Sequence, residues 1–144
     1  MTTLRIERLS DTATTPTYAH PDDAGLDIAT DRDVSIRAHE VTMVSTGIAV
    51  AVPEGHVGLL APRSGLAAKL GVTLVNAVGV IDCGYRGEVV VPLTKVTAGA
   101  PVPLGAGVRV AQLLVVPVAQ VDTEVVDELD ATGRGADGFG STGA

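Results

Sequence analysis

The sequence predicts an all-β sandwich or jelly roll that carries one short helix. Short segments rich in Val, Ile and Leu recur along the chain, separated by turns of Gly, Pro, Asp and Asn. Only residues 62–70 have the composition and stop signal of a helix. The chain is 46% hydrophobic but only 2% aromatic, so its core has to be built from Val, Leu, Ile and Ala. With 144 residues, one domain with a real core is expected.

Residues 4–9 alternate apolar and polar side chains, as a half-buried strand does. Residues 11–23, rich in Thr, Pro and Asp, read as loop. The short segment 24–29 holds a lone Asp27 between apolar neighbours, either a satisfied turn carboxylate or the partner of a metal or an arginine. His20, Asp22, Asp23 and Asp27 match no zinc spacing and read as a solvated loop. Strands are expected over 34–37, 41–52 and 56–61, with Pro53 to His56 turning the chain between the last two. The helix over 62–70 ends at Gly71. Its start, at Arg63, Ser64 and Gly65, is either an anion site or an ordinary serine cap.

A strand over 72–75 leads into Asn76-Ala77-Val78-Gly79-Val80-Ile81-Asp82-Cys83-Gly84-Tyr85-Arg86-Gly87-Glu88. This stretch reads as a β-hairpin with its tip near Cys83 and with Gly84 at a position suited to positive φ. It carries a carboxylate, Asp82, and Tyr85, one of three aromatic residues in the chain. Such a tip suits either a small planar ligand beside a reactive group or a plain surface hairpin. Pro92 interrupts the next strand, 89–94, and implies an edge or a bulge. Pro101, Pro103, Gly105 and Gly107 mark a turn region. Residues 108–118 have almost no polar face, as a strand covered on both sides would. Their polar exceptions, Arg109 and Gln112, fall on opposite faces by parity unless a bulge intervenes.

A net charge of −7 argues against nucleic acid and anionic membranes as partners, although a few convergent arginines can still hold one small anion. The single cysteine, Cys83, excludes an internal disulfide and fits a reducing compartment. With neither a signal core nor a spanning apolar run, a soluble cytoplasmic protein is expected. The chain ends in Arg134-Gly135-Ala136-Asp137-Gly138-Phe139-Gly140-Ser141-Thr142-Gly143, which reads either as a disordered tail or as a flap that orders over an anionic, planar ligand.

Five motifs stand in order along almost the whole chain: Ala24-Gly25-Leu26-Asp27, Pro62-Arg63-Ser64-Gly65, residues 79–88 of the hairpin, Arg109-Val110-Ala111-Gln112, and Arg134 to Gly143. Together they resemble the signature of the trimeric deoxyuridine triphosphate nucleotidohydrolases (dUTPases). That resemblance implies a distorted jelly-roll homotrimer with three sites at subunit interfaces. It implies hydrolysis of dUTP to dUMP and pyrophosphate with Mg²⁺. Residues 1–130 would form the jelly-roll domain and 131–144 a C-terminal arm closing over the site.

By the same resemblance, Asp82 is the general base that activates the attacking water. Asn76 and the backbone of Gly79, Val80, Ile81 and Asp82 read the uracil edge, and Tyr85 packs under the deoxyribose. Arg63, Ser64, Gly65 and Gln112 hold the phosphate chain. Arg134, Phe139, Gly140, Ser141 and Thr142 belong to the arm, with Phe139 over the uracil and Arg134 at the γ-phosphate. Asp27 meets the Mg²⁺ through water, and Arg109 pairs with a carboxylate near the site. Two alternatives remain. A dCTP deaminase of the same fold would need a catalytic Glu where Pro92 stands, and a nucleotide-binding regulatory protein would not need Asp82.

Overall fold

The computed structural model describes residues 2–136. The expected all-β fold with one short helix is present. In chain order the elements are β1 (Arg5–Arg8), β2 (Leu26–Ala29), β3 (Val34–Ile36), β4 (Thr42–Val44), β5 (Ile48–Ala51), β6 (His56–Pro62), α1 (Ser64–Leu70), β7 (Val72–Leu74), β8 (Gly79–Ile81), β9 (Val91–Lys95), β10 (Val102–Leu104) and β11 (Arg109–Pro117).

The strands form four antiparallel sheets. One has the order β2-β11-β6-β8, a second β4-β9-β7, and two pairs join β1 to β5 and β3 to β10. Alternate residues of almost every strand point into one shared core. Ile28, Ile36, Val44, Val50, Leu93 and Leu113 are fully buried in it, and no aromatic ring of the described residues belongs to it. Each such side chain contributes about 1.5–3 kcal/mol by leaving water. β-Branched and leucine side chains fill the interior, so the rings are left for the surface: Tyr18 and Tyr85 are half exposed. Among the described residues, no helix is long and apolar enough to cross a membrane.

Several expectations need correction. Residues 41–52 are two strands, not one. The chain turns at Ser45-Thr46-Gly47, where Gly47 has φ 65° and a Cβ would lie 2.4 Å from Ser10 Oγ. The hairpin is not a hairpin. β8 pairs with β6 and β9 pairs with β4 and β7, so the turn carries the chain from one sheet to another. Its tip is a four-residue turn closed by Tyr85 N–H donating to the Asp82 carbonyl (3.0 Å). Gly84 is not among the positive-φ glycines, which is consistent with a turn of type I geometry.

Pro92 lies within the central strand of its sheet rather than at an edge. Its carbonyl accepts from Val75 N–H (2.9 Å), just where β7 turns away. The missing donor faces the same side, so a single rung at the end of the ladder is lost. The Pro101 to Gly107 region is not all turn, since Val102–Leu104 pairs with β3. Beyond Val118, whose N–H donates to the Gly55 carbonyl (2.9 Å), residues 119–136 are exposed and form no strand or helix.

Candidate active site

The ends of β2, β6 and β11 and the start of α1 converge on a cavity of about 420 Å³. Its polar lining is Asp23, Asp27, Arg63, Ser64, Gly65 and Gln112. The strand β11 has a register shift against β2 between Arg109 and Ala111. That bulge cancels the parity that would set Arg109 and Gln112 on opposite faces. Both therefore reach the same neighbourhood: Gln112 lies opposite Asp27 in the ladder, and Arg109 Nη1 donates to Asp27 Oδ2 (2.9 Å).

Asp27 Oδ1 takes Arg63 Nη1, so one carboxylate stands between two guanidinium groups. The Asp27 side chain is 15% exposed, and its two partners are 25% and 54% exposed. Burial first, and the nearby charge of Arg109 second, lower the Arg63 pKa from the ordinary arginine value. Gln112 is also fixed, its Nε2 donating to the Pro62 carbonyl (3.1 Å). Gly25 faces it so closely that a Cβ there would lie 2.8 Å from Gln112 Oε1. The helix start is not a serine cap. Arg63 is the N-cap residue, without a side-chain cap bond, and Ser64 and Gly65 are exposed in the first turn.

A second cavity, of about 320 Å³, opens along β8. Asn76, Gly79, Val80, Ile81 and Tyr85 line it, with Pro92 in its wall. Because β8 pairs only with β6, its other edge leaves backbone donors and acceptors for a ligand. The chain enters that edge through a narrow turn. Ala77 has φ 58°, and Val78 N–H donates to the Asn76 carbonyl (2.6 Å). Asp82, one residue beyond β8, is exposed and makes no ion pair among the described residues.

Glu88 is the residue that sequence reading left without a role. Its carboxylate accepts from Ser45 Oγ (2.5 Å), Gly47 N–H (2.8 Å) and Thr46 N–H (3.1 Å). Ser45 in turn accepts from Arg32 Nη2 (3.0 Å), and Arg32 is paired with the buried Asp31. The Ser45 hydrogen bond, aided by the two backbone amides, holds the Glu88 carboxyl below the usual carboxylate range. The hydrogen bond from Arg32 does the same, foremost, for Asp31. The one sequence sign of this dock was a glycine, Gly47, inside an otherwise apolar run.

The expected site residues thus fall into two groups that share no lining residue. Arg63, Ser64, Gly65, Gln112 and Asp27 form one, and Asn76, Gly79, Val80, Ile81 and Tyr85 the other. Arg134 is exposed, and Phe139, Gly140, Ser141 and Thr142 lie outside the described residues. Among the described residues, no three His, Cys, Asp or Glu side chains gather to hold a metal. The Asp27 carboxylate is already engaged by two arginines. Each of its oxygens has one arginine and a remaining lone pair for a metal-bound water.

A family model for dUTPase matches residues 11–143. The deoxyuridine 5'-triphosphate nucleotidohydrolase of Thermobifida fusca (strain YX) is 49% identical over 143 residues, covering 98% of this chain and 80% of its own. That of Cutibacterium acnes is 52% identical over 128 residues, covering 89% of this chain and 84% of its own. Among solved structures, a mutant of the Staphylococcus bacteriophage 80alpha dUTPase with dUpNHpp superimposes with a TM-score of 0.94 at 29% identity, over the whole of both chains. A mutant dUTPase of phage phi11 of S. aureus, described with a structural Mg(II) ion, gives a TM-score of 0.84 at 27% identity over 90% of this chain and all of its own.

Proposed function

The chain belongs to the dUTPase family and is a dUTP diphosphatase, and we propose that it cleaves dUTP to dUMP and pyrophosphate by attack of water on the α-phosphorus. The observation that carries this reading is the division of labour between the two cavities. One is lined by arginine, glutamine and helix-start groups suited to a phosphate chain. The other offers a free strand edge and an aromatic ring suited to a base and a sugar. A carboxylate with no ion pair among the described residues stands at the turn that follows that edge.

Asp82 is the general base. Among the described residues it makes no ion pair, and it lies one residue from the strand edge that would hold the base. Asn76 and the backbone of Gly79, Val80, Ile81 and Asp82 read uracil. Backbone donors and acceptors cannot exchange roles, and the narrow Asn76 turn leaves little room for the methyl group of thymine. Tyr85 packs under the deoxyribose. Arg63, Ser64, Gly65 and Gln112 grip the phosphates, with Arg63 sharing its five N–H donors between Asp27 and substrate. Preorganised cationic and amide donors of this kind stabilise the charge that develops in phosphoryl transfer.

Mg²⁺, bound chiefly by phosphate oxygens and water with Asp27 in its outer shell, would supply further charge neutralisation. The arm from residue 131, with Arg134, Phe139, Gly140, Ser141 and Thr142, closes over the bound nucleotide. Because the two cavities stay separate within one chain, the complete site is assembled in a homotrimer, the phosphate cavity of one subunit facing the base cavity of another. The protein acts in the cytoplasm.

The test is a nucleotide panel. Protein with Mg²⁺ is given dUTP, dCTP, TTP or UTP, and both pyrophosphate and ammonia are followed. Pyrophosphate from dUTP alone is expected. Ammonia from dCTP would overturn the reading in favour of a deaminase.

A further inference from the structure

We propose that Glu88 is a positioning residue that sets discrimination between deoxyribose and ribose, acting through the ring of Tyr85. The proposal rests on the reading of Tyr85 as the ring under the sugar. The backbone of Tyr85 is fixed by the turn itself. Its N–H donates to the Asp82 carbonyl, and its carbonyl accepts from Arg86 Nη1 (2.7 Å). The ring is another matter. It is half exposed and outside the core, and its one hydrogen bond among the described residues runs from the hydroxyl to the Glu88 carbonyl (2.9 Å). The hydroxyl also passes over Gly87, where a Cβ would lie 2.5 Å from it.

The orientation of Tyr85 therefore depends on where the Glu88 carbonyl stands. That carbonyl is located by the Glu88 side chain, whose carboxylate is inserted into the Ser45-Thr46-Gly47 turn with three donors on one oxygen. The next residue is tied down beside it: Val89 N–H donates to the Ile48 carbonyl (2.8 Å), and Thr46 Oγ1 donates to the Val89 carbonyl (2.6 Å). The turn that carries Tyr85 is thus moored to a different part of the sheet, 41–43 residues away in sequence. A ring held at a fixed height can exclude a 2′-hydroxyl, and a ring free to tilt makes room for one. Charge-assisted bonds are the strong class of hydrogen bond, so losing the charge on Glu88 should loosen the mooring without dissolving the turn.

The experiment measures kcat/KM for dUTP and for UTP, together with Tm, in Glu88→Gln, Ser45→Ala, Tyr85→Phe, Tyr85→Ala and the double variant Tyr85→Phe with Glu88→Gln. Glu88→Gln should lower the dUTP/UTP ratio about tenfold and Ser45→Ala about threefold, in proportion to the bonds each weakens. Tyr85→Phe, which keeps the ring and loses the hydroxyl bond, should match Glu88→Gln, and the double variant should fall no further. If Tyr85→Ala lowers the ratio while Glu88→Gln and Ser45→Ala change only Tm, the sugar reading of Tyr85 stands and the mooring proposal is overturned. A further drop in the double variant overturns it as well, because Glu88 would then act by another route. An unchanged ratio in Tyr85→Ala removes both readings together. Should Glu88→Gln fail to fold, Ser45→Ala decides the matter, since it deletes one donor and leaves both amides in place.

Discussion

In the arginine-lined cavity Asp27, Arg63 and Gln112 are each fixed by a direct partner, whereas at the Asp82 turn the carboxylate makes no ion pair among the described residues and its surroundings are fixed from a distance. Asp27 is clamped by Arg63 and Arg109, and Gln112 is tied to Pro62. Asp82 has no ion-pair partner among the described residues, yet the chain around it is held at Tyr85, Arg86 and Glu88. The difference fits the chemistry proposed for each. Groups that bind a polyanion keep their charge when paired, and pairing prevents the arginines from repelling one another. A carboxylate that must accept a proton from water gains nothing from a tight cationic partner, which would lower its basicity.

The sharpest way to break this contrast is Asp82→Asn. Turnover should fall by about 10²–10⁴, the usual worth of a positioned general base. Stability and dUTP affinity should hardly change, since no ion pair among the described residues is lost. Pyrophosphate release, a nucleotide titration and Tm would check all three. Retained turnover would remove Asp82 as the base.

Asp27→Asn should behave in the opposite way. Removing a mostly buried carboxylate leaves Arg63 and Arg109 facing each other, at a cost of about 2 kcal/mol in unfolding free energy. Arg109→Ala should cost less, because Arg109 is 54% exposed and solvent already screens its pairing. Urea denaturation of both variants tests the order. If Asp27→Asn is no less stable than the native chain, the clamp is not structural, and the two regions differ less than their geometry suggests.

The mooring should show itself in acid. Asp31 and Glu88 have lowered pKa values in the folded chain, Asp31 chiefly through Arg32 and Glu88 chiefly through Ser45. A group lowered on folding adds stability that is full above its unfolded pKa, about 4, and is lost as pH falls through the folded value. Denaturant midpoints should therefore decline below about pH 4, and Ser45→Ala should flatten that decline by weakening the hold on Glu88. A decline of the same steepness in Ser45→Ala would mean that the Ser45 bond contributes nothing.

The two regions also differed in how much of them could be read in advance. The Asp27 carboxylate, Arg63 and the glycine that stops α1 are local signals: Asp27 and Arg63 line one cavity, and Gly71 follows α1. What could not be read was partnership. Apolar alternation says which face of a strand is buried but not which strand lies beside it. Hence residues 76–88 suggested a hairpin, although β8 and β9 join different sheets. Arg109 and Gln112 were separated by parity until a bulge brought them together. The role of Glu88 depends on a turn more than 40 residues upstream, which no local pattern around Glu88 could announce.

Ala77 gives the smallest effect and the finest comparison. It holds φ 58° at the entrance to the cavity along β8, a conformation that costs a residue with a Cβ about 1 kcal/mol. Glycine would remove that cost but would add unfolded-state entropy of nearly the same size, so Ala77→Gly should shift stability by no more than about 0.5 kcal/mol. Its consequence should appear in binding. A glycine turn samples more conformations before the nucleotide arrives, and KM for dUTP should rise about twofold with kcat unchanged. A stability gain above about 1 kcal/mol would mean that the turn is held against its own preference by the strands around it, so that the cavity along β8, like the arginine clamp, is fixed by its neighbours. A KM that does not move would place the rigidity of that cavity in the β6–β8 ladder, where Leu60 faces Gly79, and not in the turn.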